Sequence, residues 1–157
     1  MIPNERFRFE AKPEGGKTRV LLKGIIDEDT EFEAMKKIGT PLIINFKGIT
    51  SINSCGIRTW VNFMKDLQGT EIVYEECPAL IVRQMNMVPS FMGHAKVESV
   101  YVPYVCEACE AEKMLLIASE KFGKGNPEIP ETMKCESCGD GEMELDGNPK
   151  QYFSFAK

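Results

Sequence analysis

The chain has 157 residues, 43% of them hydrophobic and 27% charged, and a net charge of −5, which suits one full core plus a small appendage. No apolar run approaches the roughly 20 residues that a membrane-spanning helix needs. The polar start MIPNERFRFEAKPEGG carries no apolar signal core, so a cytoplasmic location without membrane attachment is expected.

The elements follow one another in alternation. FRFEA (7–11) and RVLLKGIID (19–27) read as strands around a turn at Pro13, Gly15 and Gly16, giving an opening hairpin. EFEAMKKIG (31–39) reads as a short helix with Phe32, Met35 and Ile38 on one side and Gly39 as its stop. LIINFKGI (42–49) is a continuous apolar strand of the kind buried within a parallel sheet. Ile57, Trp60, Val61, Met64 and Leu67 then mark the clearest helix, a single apolar stripe closed by Gly69, with Trp60 read as core. EIVYEE (71–76) is a strand, and Pro78 opens a helix through Ile81, Met85 and Val88 that Pro89 ends. KVESVYVPYV (96–105) supplies a last strand. The order β-β-α-β-α-β-α-β predicts an α/β fold, its sheet mixed and largely parallel.

Past residue 100 the character changes. Residues 1–98 hold 13 Lys+Arg and 13 Asp+Glu, whereas residues 99–157 hold 6 and 11. Two domains are expected, 1–100 and 101–157, and the acidic second one disfavours nucleic acid as a partner. Gly123, Gly125, Pro127 and Pro130 mark a long loop, and the apolar content is too thin for a core without a staple.

The cysteines supply that staple. Cys106-Glu-Ala-Cys109 and Cys135-Glu-Ser-Cys138 form two CxxC knuckles 25 residues apart. Each pair can grip one ion from a tight turn, and together they complete the tetrahedral four-thiolate set of structural zinc, with no position left for a reactive water. An iron–sulfur cluster or a redox CxxC are the rival chemistries. The arrangement resembles a β-rich zinc ribbon, although Glu110 stands where the first knuckle would usually carry glycine.

The stretches LKGIID (22–27) and SINSCGI (51–57), with CPALIVRQMNMVPSF (77–91), resemble the STAS domain of anti-sigma factor antagonists over roughly residues 5–100. The typical family patterns are L-x-G-x-L-D and D-S-S/T-G-L/I. This resemblance implies a STAS-like sheet unit and a non-enzymatic, signalling role in transcription regulation. It further implies a partner-docking turn at Asn53, Ser54, Cys55 and Gly56, and a protein partner such as an anti-sigma factor or sensor kinase. Cys55 takes the phosphoacceptor position, where a thiol is no substrate for a serine kinase, and Asn53 replaces the acid; Ser54 remains as a neighbouring hydroxyl.

Two other readings stand beside this one: a thiol redox or metal-responsive sensor, and a nucleic-acid-binding zinc-ribbon regulator. The sole histidine, His94, has no sequence reason to meet Cys55. Asp27, Glu28 and Asp29 read as a solvated turn, Cys77 as inert, and Met85, Met87 and Met92 as core or an adaptable surface. The sequence leaves the oligomeric state open.

Overall fold

Lys17–Ile26 buries every second residue, with Val20, Leu22 and Ile26 almost wholly covered, as a strand with one face on a core must. In the computed structural model, which describes residues 6–123 and 127–156, this segment is β2, paired antiparallel with β1, Arg8–Glu14. Next come β3 (Leu42–Ile52), β4 (Ile72–Glu75) and β5 (Lys96–Val97), each parallel to its predecessor. The first sheet therefore has five strands in the order β1-β2-β3-β4-β5, antiparallel at the opening hairpin and parallel beyond it.

The helices are α1 (Glu33–Lys36), α2 (Ser54–Asp66), α3 (Ala79–Met87) and α4 (Pro89–Met92). The apolar stripe of α2 buries Trp60, Phe63 and Met64. Trp60 packs against Phe63 at 4.9 Å between ring centroids and edge-on to Phe32 and Phe46, contacts worth about 0.5–1.5 kcal/mol each beyond their burial. Its indole donates to the Tyr74 hydroxyl at 2.9 Å, which in turn donates to the Phe91 carbonyl at 2.6 Å, so the buried polar atoms of this cluster are satisfied.

The expected helix over 31–39 shrinks to the single turn α1. Its first residue has no side-chain cap and Gly39 follows with φ +75°, so burial of Phe32 and Met35 holds it rather than helix propensity.

The stretch 96–105 is not one strand. Glu98 divides it, donating its amide to Tyr74 O and accepting from the Ser119 amide. After it, β6 (Ser99–Cys106) joins a second, antiparallel sheet with β7 (Glu112–Ala118), β8 (Thr132–Lys134) and β9 (Glu142–Leu145), in the order β7-β6-β9-β8. Alternating burial along β6 says that one face is covered, not by which sheet.

The molecule is thus mixed α/β, with one partly parallel and one antiparallel sheet. The sheets meet at Cys77, whose amide donates to Ser99 O and whose carbonyl accepts from Tyr101. Val100, Val102, Tyr104, Ile117, Met143 and Phe153 belong to the same buried cluster as Val20 and Trp60.

A last helix, α5 (Pro149–Tyr152), escaped the sequence reading. Asn148 caps it, accepting from the Lys150 amide at 2.9 Å, and Asn86 of α3 ties the segment down through bonds to Tyr152 O and the Phe155 amide. Gly125 of the expected long loop lies outside the described residues.

Candidate functional site

Two places carry chemistry. The first is built where β6 ends at Cys106 and where β8 runs into Cys135. The two knuckles repeat one backbone design: Glu110 donates its amide to Cys106 O at 3.0 Å, and Gly139 donates to Cys135 O at 3.0 Å. Both residues occupy the left-handed region, Gly139 at φ +74° and Glu110 at φ +63°. The knuckle turn demands that conformation, which glycine adopts freely and glutamate at some cost.

The four Sγ atoms all lie within 4.8 Å of one another. Cys106 Sγ is 3.8 Å from Cys138 Sγ, and Cys109 Sγ is 3.6 Å from Cys135 Sγ. Four sulfurs about 2.3 Å from one ion would be separated by about 3.8 Å, so the donor set fits a tetrahedral metal.

Backbone amides reinforce it. Ala108 and Cys109 donate to Cys106 Sγ at 3.4 Å, and Gly141 donates to Cys138 Sγ at 3.3 Å. The Asp140 and Gly141 amides pull the Cys138 thiol down to about 6, and those of Cys138 and Ser137 lower Cys135. Cys109 goes the other way, up to about 12: the Ala111 amide lowers it, but desolvation and the three neighbouring thiols outweigh that. Thiols this close compete for protons, and a cation bound among them would displace those protons.

Gly141 belongs to this centre although the sequence reading passed over it. A Cβ there would stand 2.5 Å from Cys106 Sγ and 2.8 Å from Ala108 Cβ, so only glycine admits the chain this close. Its signal was the spacing CxxCGxG. Cys106 and Cys135 are buried, whereas Cys109 and Cys138 are exposed.

The second place is the turn between β3 and α2. Asn53 Oδ1 accepts from the Gly56 amide at 2.8 Å and caps α2. Its Nδ2 donates to Glu28 Oε2 at 2.9 Å, a bond no aspartate could make, which accounts for an amide at this position. The Asn53 amide donates to Ile26 O at 3.2 Å. Gly56 is pressed on the same carbonyl, and a Cβ there would collide with it.

The four turn residues therefore divide: Asn53, Ser54 and Cys55 are exposed, while Gly56 is buried against the end of β2. The acidic trio Asp27, Glu28 and Asp29 lies beside the turn through the Glu28 contact, its carboxylates within 4.8 Å of one another.

Other candidates are more ordinary. His94 contacts Thr70 O at 2.8 Å, next to the start of β4, whereas Cys55 follows the end of the parallel strand β3; the two lie at opposite ends of the sheet. Cys77 is fully buried and burial pushes its thiol well above the usual range, with Glu75 adding to the effect. Met85 is buried, Met92 partly so, and Met87 is 68% exposed.

Sequence reasoning missed a polar network beneath Tyr101. There Arg19 grips Glu75 with two bonds, at 2.8 and 3.1 Å, Asn45 bridges Glu75 and Glu76, and Tyr101 donates to Glu76 at 2.7 Å. It fastens three strands and the second sheet together. Among the described residues no helix is long and apolar enough to cross a membrane. No protein-family model and no curated protein matches the chain.

Proposed function

We propose that the chain is a non-enzymatic regulatory module, similar to an anti-sigma factor antagonist, that docks a protein partner through the Asn53–Cys55 surface and carries zinc as a structural ion. The observation that carries this reading is the turn itself: three exposed polar side chains on a backbone pinned to β2, with the sole histidine at the other end of the sheet. A rigid exposed surface binds without an ordering cost, whereas a thiol without a histidine partner lacks the usual activating base. The opening hairpin followed by parallel strands supports the STAS resemblance. Zinc at the cysteines would crosslink two distant segments, and four thiolates around it leave a formal charge of about −2, which suits a protein-facing role over nucleic acid.

Two measurements test the proposal. Purified chain should carry one zinc, and Ser54→Arg should abolish capture of the native partner, an anti-sigma factor or sensor kinase by this reading, without changing zinc content or the melting temperature. Retention of the same partner by S54R would refute docking at the turn.

The exposure of Cys109 and Cys138 favours a second reading, a thiol redox or metal-responsive sensor. It requires that zinc leave on mild peroxide treatment with a change in partner affinity; zinc kept through that treatment excludes it.

A further inference from the structure

The free sheet edges are treated differently. At the outer side of the first sheet, β1 alternates exposed charges at Arg8, Glu10, Lys12 and Glu14 and includes Pro13, devices that discourage edge pairing. β5 has two residues and β8 three, too short to template a strand. β7 is longer and carries charges, Glu112 and Lys113, only at its start. It runs seven residues, EKMLLIA, without proline or glycine.

Its hydrogen-bonding parity follows from the register with β6. Cys106 donates to Ala111 O and Ser119 donates to Glu98 O, so the odd-numbered residues of β7 bond inward to β6. Glu112, Met114, Leu116 and Ala118 accordingly turn their N–H and C=O groups to the open side, and no backbone bond from another described segment meets them. On the same residues Met114 and Leu116 are 49% and 47% exposed, two of the three most exposed large apolar side chains described. The one lysine, Lys113, belongs to the other face and sits 3.7 Å from Glu136, so it does not guard the edge.

We infer that the β7 edge is a dimerisation surface, and that its occupant is β7 of a second copy, antiparallel about a two-fold axis at Leu115. The side-chain pattern of β7 supports a second copy as the occupant. Centred on Leu115, it sets Met114 opposite Leu116 of the second copy and Glu112 opposite Ala118. Every facing pair that would bond is then a pair whose backbone groups are free, and the exposed apolar side chains meet each other. No like charges face one another within the strand: Glu112 meets Ala118, and Lys113 meets Ile117. A two-fold interface requires this kind of self-complementarity, and the pairing joins two four-stranded sheets into one.

The contact is one strand wide, below the roughly 800 Å² per partner of a standard interface, so association is weak and concentration-dependent. Sedimentation velocity on the full chain from about 1 to about 100 µM reads it: a monomer–dimer equilibrium is expected, and a monomer at every concentration would overturn the inference. Leu116→Lys should raise the dimer dissociation constant at least about tenfold, with far-UV circular dichroism and metal content unchanged; an unchanged constant refutes the surface. The double variants test the register. M114K/L116K should be monomeric, whereas M114E/L116K places opposite charges face to face across the axis and should restore a salt-sensitive dimer. If M114E/L116K stays as monomeric as M114K/L116K, the Leu115-centred pairing is wrong.

Discussion

Glu110 shows how a single residue records the demand of its turn. It holds the left-handed conformation that Gly139 holds in the companion knuckle, and an L-residue there costs about 1–2 kcal/mol. Glu110→Gly should therefore stabilise the chain by about 0.5–1 kcal/mol, after allowing for the greater freedom of glycine when unfolded, as read by urea denaturation. A loss of stability would mean that the glutamate side chain makes a contribution its geometry does not suggest. Gly141→Ala is the converse case: its methyl would meet Cys106 Sγ, so metal content should drop sharply. The departure at Glu110 was visible in the sequence; the crowding at Gly141 was not, because the sulfur it meets is supplied from the other knuckle, 35 residues away in sequence.

At the scale of elements, α2 was legible because its stripe repeats at helical spacing and Asn53 stands where a cap belongs. What the stripe packs on was not legible. Tyr74 of β4 is fully buried and its hydroxyl joins Trp60 to Phe91 O. Tyr74→Phe removes the acceptor of one buried group and the donor to another, at a cost of about 1–3 kcal/mol. The sole tryptophan reports the transition by fluorescence, and a midpoint shift without a change in denaturant slope is expected. An unshifted midpoint would show that this bond contributes nothing. Helix α5 went unread because its four residues fall below the length at which periodicity is detectable, although Asn148-Pro149 is a start signal.

At the scale of the whole molecule, one buried cluster spans both sheets, and the buried Cys77 and half-buried Tyr101 at their junction contribute to the response to alkali. Cys77 is raised well above 9.0 by burial first and Glu75 second; Tyr101 is raised from 10.0 to about 12 by desolvation, then by its bond to Glu76. Both are neutral when folded at a pH where the unfolded chain would ionise them. The Tyr101 contribution is complete below about pH 10 and is lost as pH rises toward 12, and that of Cys77 is complete below about pH 9 and declines at higher pH. Unfolding free energies at about pH 8 and about pH 11 should show the decline, and Cys77→Ala should shift its onset upward; a curve unchanged by C77A would assign the loss to other groups.

The sequence by itself determined the local items: the two knuckles, the order of strands and helices as far as α3, the cap at Asn53 and the buried character of Trp60. Each rests on spacing along the chain, and spacing is what hydrogen-bond geometry and side-chain periodicity act on locally. Only the tertiary structure decided that residues 96–106 are shared between two sheets at Glu98, that Glu28 holds Asn53, and that Arg19, Asn45, Glu75, Glu76 and Tyr101 form one network. Those outcomes depend on which surfaces meet, and burial of apolar area is non-directional: it requires that a face be covered without naming the segment that covers it.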